Sequence, residues 1–245
     1  MNNNFSFYNL QFVYFLSSLN ILDRSKLMAQ LKEELKGTKE IIFPIPDDAP
    51  ADFPFMILNK PGSYEIKIAK GRIDVNFETN NSDKTKFKEI LEKDFFEFNI
   101  KLFNVLEEIT DFKIKDVGFI IRSIKNKLES ENINQTIKMF FSDNTLLSFD
   151  NDSDILIRNL KKEKININDR DIQLNNIILL NTIFFDKNKD RFLLLEFDRN
   201  TFPKEELLNF DKEFVNEFIK KESKDYLLLL NNISSFLQLK ESRSE

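Results

Sequence analysis

The chain contains no histidine, no cysteine and no tryptophan, and only 4 glycines among 245 residues. Without histidine there is no side chain whose ordinary pKa lies near neutrality, so the usual general base is missing. Without cysteine there is no thiolate nucleophile, disulfide or iron–sulfur ligand. Zinc sites built on His or Cys and every triad that needs His are excluded with them. The scarcity of glycine, with no GxGxxG and no GxxxxGK[ST], argues against phosphate-cradling loops, where the backbone must approach a ligand closely. Catalysis would have to rest on carboxylates, Lys, Ser/Thr, Tyr or oxygen-ligated metals, and no cofactor is implied. No stretch approaches the ~18 consecutive apolar residues of a membrane-spanning helix. Met1-Asn2-Asn3-Asn4 lacks the basic and apolar regions of a secretion signal, so a cytoplasmic protein is expected. In that setting the sequons at Asn134 and Asn151 are chance matches.

Hydrophobic residues make up 41% and charged residues 31% of the chain, which suits a globular protein with a proper core. There are 27 Phe, and Ile, Asn and Lys are also frequent. All four have AT-rich codons, so an AT-biased genome accounts for this composition without selection on function. The net charge of -5 disfavours binding to a phosphate backbone, which rests on Lys/Arg neutralisation, although a local basic patch remains compatible with it.

Periodicity predicts an α+β protein, mainly antiparallel sheet with two long amphipathic helices. Ser6–Leu19 alternates as a first strand. Asp23 caps a helix carrying Leu27, Leu31 and Leu35, closed by Gly37. The segment Pro44–Pro61, which holds five of the 6 prolines, reads as an extended connector packed on its own domain. Tyr64, Ile66 and Ile68, a turn at Lys70-Gly71, and Ile73, Val75 and Phe77 form the clearest hairpin. A long helix follows from Asn81 or Ser82 to Ile109. Its stripe Phe87, Leu91, Phe95, Phe98, Leu102 and Val105 keeps one face and is expected to bury against that hairpin, leaving Lys88, Glu92, Lys93 and Lys101 exposed. Lys113–Lys125 reads as a strand and Glu131–Phe141 as a short helix. Four strands are expected between Ile155 and Phe197, then a helix from Pro203 onward through Phe214, Phe218 and Tyr226. The polar stretch Asp150–Asp154 is the best boundary, dividing an N-terminal half (1–149) from a C-terminal half (150–245) unless the two form one continuous domain. A hairpin followed by a helix occurs in each half, as a pseudo-repeat would.

Few residues stand out as chemistry. Asp186-Lys187-Asn188-Lys189-Asp190 opens like a calcium loop but has Arg191 and Phe197 where glycine and a bidentate Glu are needed, so it reads as a hairpin turn. Asp150–Asp154 fails in the same way. Glu196 and Asp198 lie two residues apart near a strand end and point to one face. With Asp186 or Asp190 they are candidate ligands for a hard cation, against the plainer reading of solvated or Lys-paired carboxylates. Lys161-Lys162-Glu163-Lys164 is the densest basic run and reads as a loop between strands or as edge protection. With Arg158 and Arg170 it is the candidate nucleic-acid contact.

The order of elements, with the strand Asp116-Val117-Gly118-Phe119-Ile120-Ile121-Arg122-Ser123-Ile124 and the late strand Phe192-Leu193-Leu194-Leu195-Glu196-Phe197-Asp198 before a final helix, resembles a sporadically distributed bacterial family of about this length without assigned function. Here Ser123 stands where an aromatic commonly follows the Arg. The resemblance implies no activity and carries over no catalytic residue. Its patchy distribution implies a phage, mobile-element or defence context. Three functions follow in order: a non-enzymatic protein that binds a protein partner or itself, a nucleic-acid-associated accessory protein, and a carboxylate-dependent metal enzyme.

Overall fold

The computed structural model describes residues 5–21, 24–44, 46, 49–61, 64–78, 89, 93–125, 156–185, 190–202 and 210–241. Within them, alternating apolar residues build nine strands, β1 (Phe5–Ile21), β2 (Lys39–Ile42), β3 (Pro54–Lys60), β4 (Tyr64–Ala69), β5 (Arg72–Glu78), β6 (Thr110–Lys125), β7 (Leu156–Ile167), β8 (Arg170–Phe185) and β9 (Asp190–Thr201). The helices are α1 (Arg24–Glu34), α2 (Phe95–Ile109) and α3 (Lys212–Glu241). All strands join one open sheet in the order β2-β3-β4-β5-β1-β6-β9-β8-β7. Every pairing is antiparallel. The expected α+β class with a mainly antiparallel sheet is what the chain adopts, and each half contains a hairpin followed by a helix. The ladder between β6 and β9 carries the sheet across the two halves.

The period of two sorts each strand onto two faces. Leu10, Phe12 and Tyr14 of β1 lie opposite Phe77, Val75 and Ile73 of β5 and opposite Ile121, Phe119 and Val117 of β6. These residues are buried under the helices. On α2, Phe95 is 0% exposed and its ring meets Phe12, Phe77 and Phe119 at 5.1–6.3 Å in edge-on or tilted geometry. Phe98 packs on Tyr64 and Phe77. The stripe from Phe95 to Val105 is therefore core, as its spacing predicts, and Lys93 and Lys101 are exposed. Phe87, Lys88, Leu91 and Glu92, the Glu131–Phe141 helix, the Asp23 cap, Asp150–Asp154, most of the Asp186–Asp190 turn, and Pro203 with Leu207 and Leu208 lie outside the described residues.

Three expectations change. The Pro-rich segment is not a connector throughout, because Pro54–Lys60 is β3, paired to β2 on one side and β4 on the other. Pro54 is its first residue, where a missing N–H costs the ladder little, and Phe55, Met56 and Leu58 repay the pairing by burial. Second, Lys161–Lys164 is not a loop. It lies inside β7, and the turn comes later at Asn168 and Asp169, both with positive φ, as a tight two-residue hairpin loop requires. Third, the last helix starts at Lys212, where Asp211 Oδ1 accepts from the Phe214 N–H at 2.8 Å as a cap. One glycine matters to the hairpin turn: a Cβ at Gly71 would stand 3.2 Å from the Ala51 side chain, on a backbone whose N–H donates to the Ala51 carbonyl at 2.7 Å.

Candidate functional site

The face of the sheet opposite the helices carries a polar chain across four strands. Arg72 grips Asp74 through two hydrogen bonds at 2.8 and 2.6 Å. Gln11 donates to Asp74 at 3.0 Å and accepts weakly from Arg122. Arg122 donates to Asn9 at 2.8 Å and pairs with Glu196 at 2.6 Å. The pairing register creates this chain, since Asn9, Arg122 and Glu196 are direct cross-strand neighbours. The next residues in that row are Leu179 and Arg158.

Glu196 and Asp198 do share this face. Glu196 is held by Arg122, and Asp198 accepts from Asn200 at 3.1 Å. Burial pushes the Asp198 carboxyl above its ordinary range. Asp190 opens β9 six residues before Glu196, which at strand rise is about 20 Å away, beyond the reach of one ion. Asp186 lies outside the described residues. Among the described residues, no three acidic side chains gather to hold a metal.

The candidate basic residues divide. Arg158, Lys162 and Lys164 project from the open face of β7, the strand at one end of the described sheet, and all three are exposed. Lys161 points to the helix side and pairs with Glu163 at 3.0 Å. Arg170 pairs with Asp211 at 2.9 Å, beyond the turn. Along the outward row, Leu156 is 66% and Leu160 52% exposed, so β7 alternates apolar and basic residues toward solvent. The Lys162 ammonium sits 4.7 Å from the centre of the Phe202 ring, which is itself 39% exposed. Residues 158–162 are exposed on both faces of the strand.

A second cluster was not anticipated. Arg199, 6% exposed in its side chain, lies on the helix side of β9 among three carboxylates. It contacts Glu163 of β7, Glu222 of α3 at 2.8 Å and Asp225 of α3 at 3.1 Å. Lys161 and Lys221 pair with Glu163 and Asp225 from outside, and Asn176 donates to Glu163. Glu222 is 0% exposed, and its contact with Arg199 is close but not aligned as a hydrogen bond. Burial raises the Glu222 carboxyl to about 7, opposed by the Arg199 charge. Burial also acts on Glu163, but its hydrogen bonds from Arg199, Lys161 and Asn176 outweigh it and hold the group at about 2. The sequence did contain a signal. Arg199 continues the inward row Leu193, Leu195, Phe197, and Glu222 sits between Phe218 and Tyr226 on the buried stripe of α3. A charge at an inward position implies a buried partner.

No family model matches the chain, and no curated protein matches it. Among solved structures, that of a rolling circle replication initiator protein from Geobacillus stearothermophilus aligns with 89% of this chain and 79% of its own, at 9% identity and a TM-score of 0.29. At that score the alignment carries no argument about fold or function.

Proposed function

We propose that the protein is a non-enzymatic binding module that engages a protein partner through β7 and the neighbouring open face of the sheet. The observation that supports this is the outward row of β7, where two exposed leucines alternate with three exposed cations that make no ion pair among the described residues. Among the described strands β7 lies at the edge; an edge strand of this length with exposed apolar side chains is a template for strand pairing, and lysine and arginine on it select what pairs. The polar chain from Arg72 to Glu196 is satisfied internally, so it stiffens the platform without offering catalytic groups. A phage, mobile-element or defence setting fits the motif-order resemblance. Size-exclusion chromatography with light scattering, and cross-linking pull-down from native lysate, test the reading. A partner whose cross-links fall on residues 156–164 supports it, and a monomer that retains no partner defeats it.

A second reading is nucleic-acid binding, favoured by Arg158, Lys162 and Lys164 standing on one face beside the Phe202 ring. It requires an affinity that falls with salt as counterions are released. Filter binding to DNA and RNA that shows nothing at ~50 mM salt removes it.

A further inference from the structure

We propose that β7 accepts an extended acidic segment of a partner protein as an additional antiparallel strand. The inference rests on the binding-module reading above and gives that partner its chemistry. The row Leu156, Arg158, Leu160, Lys162, Lys164 presents one side chain every second residue, about 7 Å apart. A strand laid along this edge places its own side chains about 4.5–5.5 Å from these, where opposite charges attract and like charges repel. Every pairing in the sheet is antiparallel, and antiparallel ladders are slightly the more stable kind. Read from its N-terminus, the complementary segment is therefore acidic, any, acidic, any, apolar, any, acidic, any, apolar. Its three carboxylates face Lys164, Lys162 and Arg158, and its apolar residues face Leu160 and Leu156. Backbone hydrogen bonds supply affinity and the alternating side chains supply specificity.

Charge decides among the occupants. Two copies of β7 paired about residues 160 to 162 would set Arg158 against Lys162 or Lys164, or Lys162 against itself, so the same cations oppose self-pairing. A nucleic acid would meet the three cations but would leave Leu156 and Leu160 without apolar partners, and it would approach a chain of net charge -5 with Asp198 on the same face, near enough to act on Arg158. The acidic strand satisfies both kinds of residue in the row.

The test uses the full chain and a synthetic peptide of the stated pattern. A scrambled peptide of the same composition and a single-stranded oligonucleotide serve as comparators. Fluorescence anisotropy should show saturable binding of the patterned peptide and weaker binding of the scramble. Hydrogen exchange should show protection confined to amides of β7. R158E/K162E should weaken binding at least about tenfold, and should in turn bind a peptide carrying lysine at the acidic positions. Because both positions are solvent-exposed, circular dichroism of this variant should match the parent. Equal binding of scramble and pattern, protection elsewhere, or failure of the charge swap overturns the strand-addition proposal. If a cross-linked partner is nevertheless mapped to the open face, the binding-module reading survives without it. Preferential, salt-sensitive binding of the oligonucleotide overturns both in favour of nucleic acid.

Discussion

The two ends of the covered sheet face are built from the same layers but held by different forces. Beneath α2 the contacts are aromatic: Phe12, Phe77, Phe95, Phe98 and Phe119 interlock around a buried hydrogen bond from Tyr14 to Asn99, 2.6 Å long. Beneath α3 a comparable apolar row, Phe214, Phe218 and Tyr226, is interrupted by Glu222, which meets Arg199 of the sheet. Burial of rings is indifferent to pH. Burial of a carboxylate beside one guanidinium is not, and an ion pair removed from water contributes less than its Coulomb attraction suggests. The N-terminal end should therefore hold a constant share of stability while the C-terminal end varies with proton concentration.

The sharpest way to break the aromatic end is Phe95→Ala. Removing a fully buried ring that touches three others should cost about 3–5 kcal/mol, read as a lowered urea midpoint that is similar at pH 5 and pH 8. Next is Arg199→Leu, which leaves Glu222 without its counter-charge. The loss should be on the order of 3 kcal/mol at pH 8 and smaller at pH 5, where Glu222 is protonated in the folded state and only the contacts with Glu163 and Asp225 are still lost.

Glu222→Gln isolates the proton itself. The folded group titrates at about 7 and the unfolded one at 4.5, so between these values the folded state holds a proton that the unfolded state releases. Its contribution therefore falls as pH rises from 4.5 to about 7 and is level above that, a span on the order of 3 kcal/mol. The glutamine variant should lose this decline while retaining parental stability near pH 4.5. Glu163 acts in the opposite sense: its lowered value gives stability that is present above 4.5 and lost as pH falls toward about 2. A urea series across pH that shows no difference in slope between parent and Glu222→Gln would defeat the account of the charged end.

Smaller effects sharpen the contrast. Tyr14→Phe removes the hydroxyl bond to Asn99 and leaves the Asn99 oxygen short of a donor, at a cost of about 1–2 kcal/mol by thermal or chemical denaturation. R158E/K162E, outside both ends, should move stability by no more than about 0.5 kcal/mol.

The hairpin at Tyr64–Phe77 and the stripe of α2 were legible because one period, two or 3.6, ran uninterrupted through apolar residues. The third strand was not, since proline density and a bulge near Pro54 masked the buried row of Met56 and Leu58, with Phe55 beside it. The basic run was misplaced for a related reason: Lys161–Lys164 has the polarity of a loop, yet a strand at the end of the described sheet can carry exposed polar side chains on both faces. Glu196 and Asp198 were placed on one face correctly by strand geometry, but their partners Arg122 and Asn200 were not foreseeable as such. Cross-strand register, not sequence spacing, sets those contacts.

What the sequence by itself determined is the class of object: an antiparallel α+β protein with an aromatic core, no His or Cys chemistry, and amphipathic helices whose buried residues can be named in advance. These follow from local periodicity and from which side chains exist at all. Only the tertiary structure decided that β1 is inserted between β5 and β6, that β7 lies at the end of the described sheet with its cations outward, and that Arg199 meets Glu163, Glu222 and Asp225. Those facts join residues from distant parts of the chain. Their energies depend on which faces meet and how far water is excluded, quantities that have no value until the sheet and helices are in place.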